Sequence, residues 1–344
     1  MSQLPENLGI IHFIGIGGIG MSGIAEILVQ SGYLIQGSDL NESNNTNRLQ
    51  KLGVKIFIGQ KALNIENAKI IVVSTAILDS NIELIAAKKL FLPIVHRSEM
   101  LGELMRLKQS IAIAGTHGKT TTTSLIARIV DQNGMDPTII NGGIISALGS
   151  NAKLGNGEWM IVEADESDGS FAKLNPTVAV ITNIDLEHLD HHGTEENLEK
   201  AFFNFVSSTP FYGFICLCID HPRVQKLISK LEDKRIITFG LSANADIRAT
   251  NIIYKNNNMN FILNISKRLN SENKVYNIEF SMIGIHNVQN ALAAISVGLE
   301  LNIPIENIKK SLKTFSGVQR RFEKVGKFNN VLIIDDYGHH PVEI

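Results

Sequence analysis

The chain has 344 residues, 44% of them hydrophobic, and a formal net charge of -2. That length suits about two to three domains with full cores, and the near-neutral charge leaves no electrostatic footprint for nucleic acid. The N-terminus has no basic region followed by a long apolar run, and no uncharged stretch of about 18 residues could span a bilayer, so a cytoplasmic chain with no membrane partner is expected.

Residues 1–107 alternate strands and helices. "GIIHFIGIG" reads as a strand, "GMSGIAEILVQSG" as a helix ended by Gly32, and "YLIQGSD" as a second strand. The strand "KIIVVSTAI", the helix "NIELIAAKKL" and the strand "LPIVHR" continue the alternation. Such a pattern predicts a parallel sheet with helices on its faces. The loop "GIGGIG" places Gly15, Gly17 and Gly20 between the first strand and its helix, with Asp39 at the end of the next strand. This satisfies the dinucleotide fingerprint, in which a pyrophosphate rests on a helix N-terminus and an acidic residue follows about 20 positions on. Read alone it points to an NAD-dependent oxidoreductase. A nucleotide-sugar carries a pyrophosphate too, so the loop admits both.

A second unit, residues 108–316, starts at "SIAIAGTHGKTTT". The usual phosphate-loop pattern has a Gly, four residues, then Gly-Lys-[Ser/Thr]. Here Ile113 stands where the first Gly belongs, and Gly115 lies closer to Gly118. The context is nevertheless right. A β-rich run leads into a glycine turn, and Thr120 to Thr123 form the first turn of a helix whose free N–H groups and dipole favour an anion. Lys119 adds a point charge, and the Thr120 hydroxyl could reach Mg²⁺. The plain alternative is a Thr-rich helix start with a solvated lysine.

Two later strands bear on that choice. "WMIVEADESDGS" ends with Glu163, Asp165, Glu166 and Asp168, and "VAVITNIDLEHLDHHG" ends with Asp185, Glu187, His188, Asp190, His191 and His192. Each could be a solvated polar loop. Three strand ends bearing Lys and Thr, carboxylates and His converge on one crevice in an α/β sheet, which predicts a Mg-nucleotide site. In "FICLCID", Cys216 and Cys218 share one strand face and read as buried thiols. After "IITFG" three antiparallel strands follow, then the helices "HNVQNALAAISVGLELN" and "PIENIKKSLKTF". Residues 317–344 read as a strand, its loop and a helix start at Pro341, the beginning of an incomplete C-terminal α/β domain.

The ordered series "GIGGIGMSGIAEIL", "GSD", "GTHGKTTT", "NGG", "VEADESDGSF", "TNID.EH.D", "GIHNVQNALAA", "GVQRRFE" and "DDYGHHP" resembles the Mur ligases, and within them those that join L-alanine to UDP-N-acetylmuramate. The likeness covers nearly the whole chain. It implies a Rossmann-like N-terminal domain for the UDP-substrate, a central P-loop ATPase-type α/β domain with added antiparallel strands, and the first strand of a C-terminal α/β domain. It also implies an amide ligase that consumes ATP with Mg²⁺ in peptidoglycan precursor synthesis, through an acyl phosphate and with release of ADP and phosphate.

By position, the resemblance implies that Gly115, Thr116, His117, Gly118, Lys119, Thr120 and Thr121 wrap the ATP phosphates. Thr120 and Glu163 would hold one Mg²⁺, and His188 with Glu163 a second. Lys119, Glu163 and His188 are thus the catalytic set. Asn287 and Asn290 would meet the adenine end, Arg320 would neutralise phosphate charge, and Asp335 or Asp336 would reach the ribose. Gly17, Gly18, Ile19, Gly20 and Met21, with Asp39 and the loop Ser74, Thr75 to Ile77, would take the uridine diphosphate. His117 would sit near the substrate's reacting end. Because the family's third domain continues past "DDYGHHP", this chain is expected to be a poor or inactive ligase, and L-alanine selectivity rests on the resemblance alone. A monomer or weak homodimer is expected. The competing readings are a murein peptide ligase, an NAD-dependent oxidoreductase, and a non-catalytic nucleotide-sugar binder.

Overall fold

In the computed structural model, which describes residues 4–5, 7–167, 169–187, 189–256, 258–269, 274–329 and 331–338, the apolar runs become strands of one parallel and one mixed sheet. The first holds β1 (Ile10–Ile14), β2 (Ile35–Asp39), β3 (Lys55–Ile58), β4 (Ala68–Val73) and β5 (Ile94–His96) in the order β3-β2-β1-β4-β5. Helices α1 (Ile19–Gln30), α2 (Asn44–Lys51), α3 (Ile82–Lys89) and α4 (Arg97–Met105) connect or follow them. Since β1 lies between β2 and β4, the strand order reverses there, and a ligand crevice opens beyond the carboxyl ends of β1 and β4. Helix α1 stops where Gly32 takes a φ of 93°, a left-handed turn that glycine adopts without a Cβ clash.

Helix α2, "NNTNRLQK", escapes a hydrophobic-period reading because it buries only Thr46 and Leu49. A capping box holds it: Ser43 accepts from the Thr46 N–H at 3.2 Å, and the Thr46 hydroxyl accepts from the Ser43 N–H at 2.8 Å.

The second sheet has the order β15-β14-β13-β12-β11-β10-β6-β9-β7-β8. Its members are β6 (Gln109–Ala114), β7 (Thr138–Ile145), β8 (Ser150–Lys153), β9 (Trp159–Glu163), β10 (Val178–Ile181), β11 (Phe214–Cys218), β12 (Ile236–Gly240), β13 (Ile247–Lys255), β14 (Asn258–Ile265) and β15 (Lys274–Phe280). The added strands β13 to β15 pair antiparallel with one another, and β13 joins β12 in parallel, so they extend the same sheet. The helices are α5 (Lys119–Gln132), α6 (Leu189–His192), α7 (Glu195–Ser207), α8 (Pro222–Ile228), α9 (Ile285–Glu300) and α10 (Ile305–Lys313). One core packs α5 and α9 on one face of the sheet; a second packs α1, α4 and α7 on the other, continuous with the first sheet. Cys216 and Cys218 are buried and free, and burial pushes the Cys218 thiol up to about 12, which makes it unreactive near neutral pH. No helix among the described residues is long and apolar enough to cross a membrane.

The last segment departs from the sequence expectation of a single strand. Glu323–Phe328 (β16) and Val331–Asp335 (β17) form an antiparallel hairpin with Glu323 opposite Asp335. The charged run "EKVGKF" hid β16, because neither face of it is buried. Pro341 lies outside the described residues.

The two sheets are tied through α1. A Cβ built on Gly23 would stand 2.9 Å from Asn151 Nδ2, so the helix packs directly on β7 and β8. Asn151 donates to the Ile19 carbonyl at 2.7 Å, and Arg48 donates to Glu26 at 2.9 Å and to Asn151 at 2.6 Å. We expect Gly23→Val to weaken this docking and lower the melting temperature by several degrees, read by calorimetry, since the added bulk has no space.

Candidate functional site

Register brings the phosphate loop and the acidic strand end together. Ile113 of β6 stands opposite Glu163 of β9, and Ala114 opposite Ile181 of β10. The segments that follow these three strands therefore emerge side by side. Gly115 (φ 135°) and Gly118 (φ 82°) both adopt conformations that L side chains avoid. A Cβ on Gly115 would lie 2.1 Å from Thr182 Oγ1, and one on Gly118 would lie 2.4 Å from Asn290 Oδ1.

The loop is clamped by "TNID". Asn183 Oδ1 accepts from the His117 N–H at 2.8 Å, and its Nδ2 donates to the His117 carbonyl at 3.0 Å. Thr182 Oγ1 donates to the same carbonyl at 2.6 Å, and Thr116 Oγ1 accepts from the Asp185 N–H at 2.8 Å. Asn183 and Thr182 are site residues that the sequence reading did not single out. Their signal was their place at the end of an apolar strand beside the loop.

Lys119 folds back on its own loop. Its Nζ donates to the Gly115 carbonyl at 2.7 Å, the Thr116 carbonyl at 3.1 Å and Glu166 Oε1 at 2.8 Å. Burial opposes the Lys119 charge, but Glu166, Glu163 and Asp165 outweigh it and hold the amine above its usual value. Burial pushes Glu166 up to about 7; Lys119 pulls it back only in part, and Asp165 adds to the rise.

A carboxyl raised in the folded state binds its proton more tightly there than in the unfolded chain. The resulting stability is fully present below the unfolded value near 4.5 and is lost as pH rises through about 7. Stability to urea should therefore fall between pH 5 and 7.5, and Glu166→Gln should flatten that slope; an unchanged slope in the variant would contradict the assignment.

Glu163 is held from the neighbouring strand: its Oε2 accepts from the Gly142 N–H at 2.8 Å. The "NGG" glycines of β7 have a steric reason. A Cβ on Gly142 would lie 2.4 Å from Glu163 Oε1, and one on Gly143 would lie 2.8 Å from Thr120 Cγ2. Thr120 and Glu163 thus flank one bare stretch of backbone. Two hard oxygen donors suit Mg²⁺. Among the described residues no group of three or more His, Cys, Asp or Glu side chains has metal-holding geometry. His188 and Asp168 lie outside the described residues.

Beside the loop lies a cavity of about 680 Å³, lined among others by His117, Asn183, Asp220, Asn287, Asn290 and Asp336. His117 Nε2 stands 3.2 Å from Asp185 Oδ2, and His221 Nε2 stands 3.0 Å from Oδ1 of the same carboxylate. Arg321 and Asp336 reach the cavity wall, whereas Arg320 and Asp335 do not line it. Both guanidinium groups lie over the Tyr337 ring, Arg320 at 4.8 Å and Arg321 at 5.4 Å. Asp336 accepts from the Phe322 and Gly338 N–H groups, both at 2.7 Å. A cavity of about 700 Å³ between β13–β15 and α10 touches no phosphate-loop residue.

In the first sheet Asp39 Oδ2 accepts from the Gly17 N–H at 2.8 Å, and Asn45 donates to the Gly17 carbonyl at 2.8 Å. Gly18 caps α1 without a side-chain bond, and no acidic residue stands in the first turn, which leaves that end suited to an anion. Ser74 and Thr75 follow β4, and Ile77 lies 3.3 Å from a Cβ on Gly15, so the two loops close on each other. Arg97, at the start of α4, bonds Asp165 Oδ2 through Nη2 at 3.1 Å, and its Nη1 lies 3.1 Å from a Cβ on Gly20.

Comparison with known proteins adds a second line. Residues 10–109 match the Mur ligase family catalytic domain, and residues 113–298 match the Mur ligase middle domain. The UDP-N-acetylmuramate–L-alanine ligase of Acidiphilium cryptum is 54% identical over 345 residues, covering 100% of this chain and 72% of that protein. The enzyme of the same name from Brucella anthropi is 53% identical over 342 residues, covering 99% and 73%. Among solved structures, UDP-N-acetylmuramate-alanine ligase from Thermotoga maritima superposes with a TM-score of 0.86 at 30% identity, covering 97% of this chain and 75% of that one. A murein peptide ligase from Psychrobacter arcticus gives 0.83 at 25% identity, covering 97% and 74%.

Proposed function

The chain belongs to the Mur ligase family, and from that premise we infer how it acts as an ATP-dependent ligase joining L-alanine to UDP-N-acetylmuramate. The reaction forms a carbon–nitrogen bond in peptidoglycan precursor synthesis. The muramic carboxylate attacks the γ-phosphate of ATP, ADP leaves, and an acyl phosphate results. The amine of L-alanine then attacks the acyl carbon, and phosphate leaves. A carboxylate is a poor acylating agent in water, so the protein's work is positioning and charge neutralisation.

The structural observation that supports this most is the register of β6, β9 and β10, which gathers Lys119, Glu163 and Glu166 around one glycine loop. Gly115 to Thr121 wrap the phosphates, and Lys119 leaves Glu166 for the terminal phosphates. By the family resemblance, Thr120 and Glu163 would hold one Mg²⁺ and His188 with Glu163 a second, and these ions would supply charge neutralisation between two anionic reactants. Asn287, Asn290 and Asp336 face the nucleoside in the cavity, with Arg321 a better-placed cation than Arg320. Gly17 to Met21, Asp39 and the loop from Ser74 take the uridine diphosphate. The division into residues 1–107, 108–316 and 317–344 is supported by the separate sheets. We place the enzyme in the cytoplasm, as a monomer or weak homodimer.

The test is the mass of the product formed from UDP-N-acetylmuramate and ATP with L-alanine or, separately, with a tripeptide. Whatever the turnover of this chain, the product that forms is expected with L-alanine and not with the tripeptide. Product with the tripeptide alone would favour the murein peptide ligase reading. Glu163→Ala should in addition remove most of the Mg²⁺ dependence of ATP affinity; a dependence equal to wild type would remove Glu163 from the metal set.

A further inference from the structure

One short segment, "EADES", faces both nucleotide sites. Glu166 holds Lys119 of the phosphate loop at 2.8 Å, and one residue earlier Asp165 holds Arg97 of the first-domain helix α4 at 3.1 Å. The Arg97 side chain is only 14% exposed, and its second nitrogen, Nη1, lies against Gly20 in the first turn of α1. Asp165 thus occupies, by ion pairing, a cation that stands beside the seat of another anion.

We propose that Arg97 is a ligand of the substrate's diphosphate, and that Asp165 competes with that diphosphate for it. The inference rests on the first-domain site being a nucleotide-sugar site. Its ground is the juxtaposition of the guanidinium with Gly20 on one side and Asp165 on the other. A guanidinium presents several donors in a planar fork, so it can meet phosphate oxygens near α1 with Nη1 while Nη2 is given up by the carboxylate. The Asp165 side chain is 42% exposed, so water can take the place of Arg97 at it once the diphosphate takes over, whereas Arg97, 14% exposed and walled by α1, stays in place. The release also returns a full negative charge to the neighbourhood of Lys119, so occupation of the first site changes the field at the second. Coupling of this kind is reciprocal.

A double-mutant cycle on UDP-N-acetylmuramate affinity tests it, by calorimetry on the full chain without ATP. Asp165→Asn keeps the shape and removes one charged competitor, and should tighten binding by about threefold. Arg97→Gln should weaken it by at least about tenfold, the scale of a lost charge-assisted hydrogen bond. Arg97→Lys should fall between Arg97→Gln and wild type. In the double variant the gain from Asp165→Asn should vanish. Thermal melts matching wild type would show that each variant is folded. Weaker binding in Asp165→Asn would overturn the competition, because it would mean that Asp165 orients Arg97. Wild-type affinity in Arg97→Gln would overturn the contact itself. Failure of the folded wild type to bind UDP-N-acetylmuramate would remove the first-domain reading, and the inference with it.

Discussion

Lys119→Ala should weaken ATP binding on the order of a hundredfold while leaving UDP-N-acetylmuramate affinity within about twofold of wild type. The loss has two parts. The Nζ that now bonds two loop carbonyls and Glu166 is the group that would meet the phosphates. Without it, Glu163, Asp165 and Glu166 face the triphosphate with one cation fewer. The first-domain loop is built on a different sheet, and Lys119 reaches its ligand only through the charge of Asp165, so the effect there should stay small. The variant should still fold near pH 6, because Glu166, already near 7 with its partner present, can keep its proton when that partner is gone. As pH rises towards 8 that proton must leave a buried carboxyl with no lysine beside it, and the variant's melting temperature should fall further below wild type. Calorimetry with ATP and melts at the two pH values read both effects. Undiminished ATP affinity would remove Lys119 from the phosphate site.

The second large effect concerns the backbone. Gly115→Ala should destabilise the protein by about 4 kcal/mol, the sum of backbone strain and overpacking. A φ of 135° is unfavourable for alanine, and the new methyl would stand 2.1 Å from Thr182 Oγ1 and 3.0 Å from the Asn183 carbonyl oxygen. Thr182 and Asn183 cannot withdraw without releasing His117, which both of them hold. Gly134→Ala is the control. Gly134 also has a positive φ, 76°, but nothing lies within 4 Å of its Cβ position, so only the conformational penalty of about 1 kcal/mol should appear. Urea melts of the two variants give the difference. Equal losses would mean that the space around Gly115 is not what requires glycine.

Much of the frame could be read from local pattern, because strands buried on both faces are written as unbroken apolar runs. "SIAIA", "WMIV" and "VAVI" announce β6, β9 and β10. The fold as a whole agrees with the expectation of a Rossmann-like first sheet followed by a phosphate-loop sheet with added antiparallel strands. Elements escaped where local composition argues against them. The strand β7 contains two glycines, which weaken strand propensity and are there for the close approach of Glu163 and Thr120, a contact made across strands. The capping of α2 and the hairpin partner β16 lie in polar stretches without a buried face to betray them.

The site was legible in its residue types and less so in its pairings. That "EADES" carries charge at a strand end is evident from sequence. That Glu166 and Asp165 act as counter-ions to Lys119 and Arg97 depends on strand order, which no local pattern encodes. Arg97 gave no signal, since an arginine at a helix start looks the same whether it is solvated or facing another domain. His117 was placed by resemblance near the reacting end of the substrate; in the structure it pairs with Asp185 on the cavity wall. Of the two adjacent arginines and two adjacent aspartates near the hairpin, the cavity lining favours Arg321 and Asp336.

The most direct test of the account is to titrate the purified chain calorimetrically with UDP-N-acetylmuramate and, separately, with NAD. The glycine loop after β1 satisfies a fingerprint shared by both kinds of ligand, so this pair of titrations decides what it holds. Binding of UDP-N-acetylmuramate with none of NAD is the expected result. Binding of NAD without UDP-N-acetylmuramate would contradict it, and the assignment of the first-domain site would have to be abandoned.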